Sequence, residues 1–291
     1  MANGQQVALV VGASRGIGRQ VAIDLAKSGY TVVVAAKTTS DASQCHPFPP
    51  DPNSQQSTIN TVAREITEAG GEALALPVDV RSFDDVSNMV SKIIEKFSRL
   101  DVLIYNSGAI WWSSVKDTPM KRFQLMQRVD PKGCRVVIVS PPVYSRFFRG
   151  KTAYAVGKVG MSVLTMGLAM DWEREGRDEM AITSIWPAAA VESAATQNSK
   201  ADRAQLRKPT ILSDAILAIL KAQAKDVNGQ CLLDEDFLRT HEGVTDLAKY
   251  ACVPGADPRR IMPAEFPDLR VAEQVDEGTR MDSTQLRKGR L

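Results

Sequence analysis

Apolar positions follow two alternating rhythms along this chain. Short unbroken apolar runs at residues 7–11, 31–36, 73–77, 102–105, 135–139, 181–186 and 229–233 have the length of strands buried on both faces. Between them apolar residues recur every three to four positions, the spacing of one helix face. These helical stretches are the segment carrying Val21, Leu25 and Ala26, then 59–69, 84–97, 118–129, 153–173 and 213–221. Strand and helix in strict alternation predict an α/β fold: one doubly wound parallel sheet with helices on both faces, in three layers. Residues 39–58 interrupt the rhythm, with Pro47, Pro49, Pro50 and Pro52 set among Ser, Asn and Gln. Because the alternation resumes afterwards, this stretch reads as a long surface loop and not as a domain linker. Beyond about residue 250 periodicity fades into proline and charge. The expected organisation is one domain over residues 1–245 and a loosely ordered tail over 246–291, with no internal repeats.

Composition narrows the function classes. With 291 residues, 44% hydrophobic and 24% charged, the chain can bury a core and is ordinary for a soluble globular protein. A formal charge of +2 gives no reason to expect nucleic acid or an acidic membrane as partner. No apolar run is expected to span a membrane, and Met1-Ala2-Asn3-Gly4 does not read as a signal peptide. Cys45, Cys134, Cys231 and Cys252 are scattered, and only His46 and His241 accompany them. No metal site or Ser-His-Asp triad is expected from that set, and a reducing, cytoplasmic setting is. Gly289-Arg290-Leu291 faintly resembles a peroxisomal Ser-Lys-Leu address, which is the alternative localisation.

Three places carry chemistry. Gly12-Ala13-Ser14-Arg15-Gly16-Ile17-Gly18 follows the first strand and opens the first helix. Glycines there let a backbone approach a pyrophosphate, and free N–H groups at the helix N-terminus receive its charge. The competing reading is a tight turn that binds nothing. The second strand ends in Ala35-Ala36-Lys37-Thr38, without the carboxylate that takes the ribose hydroxyls of NAD. Lys37, with Arg15 in the turn, suits the 2′-phosphate of NADP(H), and two solvated surface bases are the plainer reading. Third, Tyr154 and Lys158 lie four residues apart on one helix face. For the phenol to titrate near neutrality, its pKa of about 10 must fall at a cost of about 4 kcal/mol. One cation at about 4 Å in an effective dielectric of about 20 supplies that amount.

The glycine turn, Asp79-Val80, Asn106-Ser107-Gly108 and Tyr154 with Lys158 fall in the order and approximate spacing of the short-chain dehydrogenase/reductase family. The resemblance covers roughly residues 6–240. Within the family the chain resembles the hydroxysteroid dehydrogenase-like branch, through Ala35-Ala36-Lys37-Thr38 with its proline-rich loop, Ser140-Pro141-Pro142, Ile185-Trp186-Pro187 and the stretch 229–235. It implies a Rossmann-type domain in which Gly12, Ser14, Arg15, Gly16, Ile17 and Gly18 shape the dinucleotide turn. Asp79 would meet the adenine, and Asn106 would support the adenosine ribose. Tyr154 would pass the proton, and Lys158 would hold the nicotinamide ribose and depress the tyrosine pKa. Pro187 and Ser193 would meet the carboxamide end. A serine that polarises the substrate oxygen falls at Pro141, so Ser140 is the candidate through a one-residue shift, with Ser145 as the other; a strand-end hydroxyl bonded to backbone is the plain reading of Ser140.

Two departures stand out. Asp130 occupies the place of the family's catalytic asparagine, and only about ten residues separate it from Ser140. Part of the helix before the fifth strand is therefore expected to be missing, although a right-handed crossover needs only about a dozen residues. That shortening removes a cover from the 153–173 helix at Met161, Leu164 and Leu168, and a homo-oligomer is one way to cover it. The reading is an NADP(H)-dependent oxidoreductase acting on a small-molecule carbonyl or secondary alcohol. Trp111, Trp112, Phe147 and Phe148 point to an apolar substrate, or to packing. The rival is a dinucleotide-binding protein with impaired or no turnover, and a third reading is a scaffold that binds no dinucleotide.

Overall fold

The structure is a computed structural model that describes residues 4–107, 134–148 and 151–269. Among the described residues, β1 (Val7–Val11), β2 (Thr31–Ala36), β3 (Ala73–Pro77), β4 (Val102–Tyr105), β5 (Arg135–Val139), β6 (Ala181–Trp186) and β7 (Cys231–Leu233) form one parallel sheet. Their order is β3-β2-β1-β4-β5-β6-β7. The direction of winding changes between β1 and β4, which leaves a crevice at the carboxyl ends of those strands, where ligands settle in open α/β sheets. The helices are α1 (Gly16–Lys27), α2 (Ile59–Glu68), α3 (Phe83–Phe97), α4 (Thr152–Arg174), α5 (Ala194–Asn198), α6 (Thr210–Lys221), α7 (Ala224–Val227) and α8 (Asp234–His241).

Alternate residues of each strand separate the two faces. Ala8, Val10, Val32 and Val34 pack with Val21 and Leu25 of α1, Ile66 of α2 and Ile216 of α6. Val7, Leu9, Val11, Val33 and Ala35 face Met89, Ile93 and Phe97 of α3. Further along that second face Val136, Ile138 and Ile182 meet Ala169 and Trp172 of α4. Helix boundaries follow local chemistry. Thr58 and Thr61 form a reciprocal capping box on α2, and Ser82 caps α3 through the Asp85 N–H.

The expected strands coincide with the observed ones except that β7 is shorter than residues 229–233. Sequence periodicity missed α5, α7 and α8, whose short or charged sequences carry too few apolar positions. The 118–129 helix, Asp130, Trp111 and Trp112 lie outside the described residues. The sheet closes across that stretch all the same, with β4 and β5 parallel in the register Val102↔Arg135 to Tyr105↔Ile138.

Two expectations need correction. The stretch read as a loose tail from residue 246 is packed as far as Met262. Leu247, Tyr250, Ala251 and Met262 are buried, and Arg260 pairs with Ala189 in an antiparallel bridge. Polar anchors hold this segment where apolar periodicity gave no signal. Residues 270–291 lie outside the described part. Second, α4 is long and apolar enough to cross a membrane, by length and composition only. Its scattered glycines, alanines and methionines disguised that run. One stripe of it lies against the sheet, with Ala155, Lys158, Ser162, Thr165, Ala169 and Trp172 buried. Met161, Leu164 and Leu168 are partly buried against the β5–β6 cluster, whereas Val156, Val163 and Met170 are exposed.

Candidate active site

The turn after β1 is built from backbone contacts. Gly12 has a φ of +84°, and a Cβ there would stand 2.9 Å from the Ser107 nitrogen. A Cβ on Gly18 would lie 2.2 Å from the Gly12 carbonyl oxygen and 2.6 Å from Asn106 Nδ2. Both positions therefore require glycine. The Asn106 side chain donates to the Gly12 carbonyl at 3.1 Å, and its N–H bonds the Val11 carbonyl at 3.0 Å, so the end of β4 braces the turn. Arg15 stands at the N-cap of α1 in extended conformation, and its side chain makes no capping hydrogen bond to the first turn.

The proline-rich loop docks on this turn. Gly16 N–H donates to the Pro52 carbonyl at 2.9 Å, and Ser57 Oγ donates to the Ser14 carbonyl at 2.7 Å. Arg64 stacks its guanidinium 3.9 Å above the Phe48 ring and donates to the Ala42 carbonyl, pinning the loop to α2. Ile17 is partly buried against the core. From the other side Ser193 caps α5, its Cβ 3.8 Å from where a Gly16 Cβ would stand, so the loop after β6 returns to the turn. These glycines leave room for a dinucleotide diphosphate, and the Pro52 carbonyl occupies the Gly16 N–H that such a group would otherwise receive.

The adenosine end differs from expectation. Asp79 is ion-paired to Lys37 at 2.9 Å and to Arg81 at 2.5 Å. Arg81, then Lys37, hold its carboxyl well below the usual range. Lys37 is thus not the unaccompanied cation expected, and Asp79 spends its oxygens on ion pairs. Arg81, which sequence reasoning passed over, adds a third base beside Lys37 and Arg15; Arg15 reaches Thr38 Oγ1 at 3.5 Å. A basic residue two positions after the strand-end aspartate was the signal available.

The catalytic end departs further. Tyr154 and Lys158 share one face of α4, as the spacing required. Yet Lys158 Nζ donates to the Val139 carbonyl at the end of β5, 2.8 Å away. Burial pushes the Lys158 ammonium down to about 8 and the Tyr154 phenol up to about 12. The expected depression of the tyrosine pKa is absent, because desolvation by burial raises the phenol and the ammonium donates to a backbone carbonyl. Ser140 is fully buried, its Oγ 3.1 Å from Ser162 Oγ. The single proton of the Ser162 hydroxyl goes to the Pro141 carbonyl, 2.6 Å away. The Ser140 hydroxyl thus lies against a side chain of α4 and not against its own backbone, while Ser145 is exposed on a short 3-10 turn, Ser145–Phe148. Neither serine makes a hydrogen bond to Tyr154. Asp130 lies outside the described residues.

The Tyr154 ring adjoins Phe147 at 6.1 Å between centroids, and Phe147 adjoins Trp186 and Tyr144 at 5.9 Å each. After β6, Pro187 is half-buried and Ala188 is held through both backbone groups. Its N–H donates to Asp234 Oδ1 at 2.8 Å, and its carbonyl accepts from the Ile261 and Met262 amides at 2.8 and 3.1 Å. Asp234 is wholly buried, and desolvation pushes its carboxyl up to about 7. No group of three or more His, Cys, Asp or Glu residues that could hold a metal occurs among the described residues.

A family model for short chain dehydrogenases matches residues 6–47 and 53–133. Hydroxysteroid dehydrogenase-like protein 2 of Xenopus tropicalis is 35% identical over 268 residues, covering 84% of this chain and 60% of that protein. The human protein of that name is 34% identical over 267 residues, with the same coverage. The chain thus spans about 60% of the length of these curated relatives. Among solved structures, a putative dehydrogenase from Xanthomonas campestris is 32% identical with a TM-score of 0.72, covering 92% of this chain and 98% of that one. A short chain dehydrogenase from Mycobacterium thermoresistibile is 33% identical with a TM-score of 0.70, covering 88% and 93%.

Proposed function

The chain belongs to the short-chain dehydrogenase/reductase family of oxidoreductases, and from that premise we propose that it is NADP(H)-dependent and interconverts an apolar carbonyl compound and its secondary alcohol. The observation that carries this reading is the pairing of a glycine turn braced by Asn106 with Tyr154 and Lys158 at the neighbouring strand end, across the switch point of one sheet. A bound nicotinamide dinucleotide supplies the hydride. The diphosphate would lie along the turn from Gly12 to Gly18 at the α1 N-terminus, with Ser193 and Pro187 toward the nicotinamide. Arg15, Lys37 and Arg81 outnumber Asp79 and favour a 2′-phosphate on the adenosine ribose.

Tyr154 then holds the proton that the substrate oxygen gains or loses. A phenol kept neutral by burial holds its proton for the substrate oxygen, while the Lys158 ammonium, bonded to the Val139 carbonyl, does not lower its pKa. Tyr144 and Trp186, both partly exposed, flank the buried Phe147 and give an apolar surface beside Tyr154. Titration with NADPH and NADH, followed by reduction assays on a panel of ketones and aldehydes, tests the proposal. NADPH binding with reduction of at least one carbonyl supports it. The rival, a dinucleotide-binding relative with impaired turnover, draws support from Ser140, whose hydroxyl is engaged by Ser162. Tight NADPH binding without reduction anywhere in the panel decides for that rival.

A further inference from the structure

We infer that the proline-rich loop competes with the dinucleotide for the glycine turn: the Pro52 carbonyl holds the Gly16 N–H in the free chain, and the loop must release it before a diphosphate can settle there. The competition rests on the proposed dinucleotide chemistry of the same site. Gly16 donates its N–H to the Pro52 carbonyl at 2.9 Å, so a neutral oxygen of the chain stands where a diphosphate oxygen would be received at the head of α1. Beside it Asn53 is 8% exposed, and its Oδ1 lies 3.5 Å from where a Gly16 Cβ would stand. That oxygen meets no hydrogen-bond donor among the described residues. A buried acceptor without a donor costs stability, so the closed loop carries a penalty that opening relieves. Two acceptors, one bonded and one not, thus crowd the end of a helix that favours anions.

The loop reaches the turn as a shaped element. The Asp51 side chain accepts from the Asn53 N–H at 2.7 Å, and the Asp51 carbonyl accepts from the Ser54 N–H at 3.0 Å and from Ser54 Oγ at 2.9 Å. These bonds aim the Pro52 carbonyl. Two anchors further out hold the loop down: the fully buried Ser57 donates to the Ser14 carbonyl, and Arg64 of α2 clamps Phe48 and the Ala42 carbonyl. Neither anchor uses the Gly16 N–H, so each can be cut without touching the diphosphate position itself. Space for movement adjoins the loop. Asp51, Pro52 and Asn53 line a cavity of about 430 Å³ together with Glu192, Thr196 and Arg203 of the segment after β6. Because only the open population binds, the apparent Kd equals the intrinsic one divided by the open fraction. Cutting an anchor must then tighten binding, the opposite of what a loop that clasps the bound dinucleotide would show.

Ser57→Ala and Arg64→Leu cut the two anchors separately in the full chain, and thermal melting shows which of them stays folded. Three quantities are read without turnover: the Kd of NADPH by fluorescence, the Kd of inorganic pyrophosphate by calorimetry, and hydrogen exchange at the Gly16 amide of the free chain by NMR. Each variant should bind both probes about fivefold more tightly than the parent, the scale of one net hydrogen bond. The Gly16 amide should exchange faster by a similar factor, because it exchanges only when the Pro52 carbonyl lets go. Unchanged or weaker binding of both probes in the folded variants overturns the inference, as does a Gly16 amide that exchanges no faster. Failure of every form to bind either probe overturns it as well. Tighter NADPH binding in the variants with no carbonyl reduced leaves the inference standing and sinks the proposed turnover. Carbonyl reduction by the parent, with affinities that neither variant changes, does the opposite.

Discussion

At the turn after β1 the positions are set mainly by close approach to the backbone, whereas at the end of β5 they are set by side chains that have other engagements. Gly12 and Gly18 leave no room for a Cβ, and Asn106 clamps the Gly12 carbonyl. In the catalytic half Lys158 bonds the Val139 carbonyl, Ser140 is engaged by Ser162, and Tyr154 is raised by burial. Backbone geometry follows from fold and sequence spacing. Side-chain chemistry follows from desolvation and from whichever donor is nearest. The cofactor half is thus a shape problem, and the catalytic half is a problem of charge and proton affinity.

The widest separation of the two halves comes from Tyr154→Phe. Losing only the hydroxyl should lower turnover by about 10²- to 10⁴-fold, the range of one general acid, with dinucleotide affinity nearly intact. A large loss of NADPH affinity in this variant breaks the division. Gly18→Ala should do the reverse. Its Cβ would collide with the Gly12 carbonyl and the Asn106 amide, costing about 1–3 kcal/mol of stability as an overpacked site. Dinucleotide affinity should fall with it, read by fluorescence titration and thermal melting. Normal binding by Gly18→Ala means the turn is softer than its contacts imply.

Lys158 puts charge against stability. Its folded pKa of about 8 lies below the ordinary 10.5, so between those values the unfolded chain binds more protons than the folded one. Stability from this group therefore rises as pH goes from about 8 to 10.5, and at pH 7 the buried charge costs about 3 kcal/mol. Tyr154 acts oppositely and at higher pH. Its folded pKa of about 12 exceeds the ordinary 10, so its contribution is full below pH 10 and is lost as pH rises through 12. Lys158→Met should raise the melting temperature at pH 7, flatten the climb between pH 8 and 10.5, and abolish turnover. A destabilised Lys158→Met would show that the Val139 hydrogen bond outweighs the cost of burying the charge.

This division also explains what could be read from sequence. Strand runs such as 31–36 and 135–139 were legible because burial on both faces leaves an unbroken apolar run, and the glycine turn because backbone approach admits no other residue. The Tyr154–Lys158 face was legible from helical spacing, but not the direction of either pKa, because Val139 and the depth of burial belong to the assembled fold. Ser140 resembled a catalytic serine at a strand end, and only Ser162, twenty-two residues on, shows how its hydroxyl is used. The packed segment around Arg260 was missed because Asp236 and Ala188, not an apolar stripe, hold it.

The smallest expected effect, and the sharpest on cofactor choice, lies in the exposed cluster of Lys37, Arg81 and Asp79. Exposed ion pairs are worth about 0–1 kcal/mol, so Lys37→Ala or Arg81→Ala alone should reduce the preference for NADPH over NADH by no more than about fivefold. In each single variant Asp79 keeps one cation, since both reach the same carboxylate. The double variant is different in kind. It leaves an unpaired carboxylate at the ends of β2 and β3, which repels a 2′-phosphate and can accept from ribose hydroxyls, the arrangement that selects NAD. The double variant should therefore turn the preference toward NADH, and Asp79→Asn added to it should return the two cofactors to near parity. Raising salt should narrow the gap in the unmodified chain, because these charges face solvent. Equal NADPH and NADH affinities in the unmodified chain at low salt would remove the electrostatic basis of the cofactor assignment, while leaving the backbone-built diphosphate turn untouched.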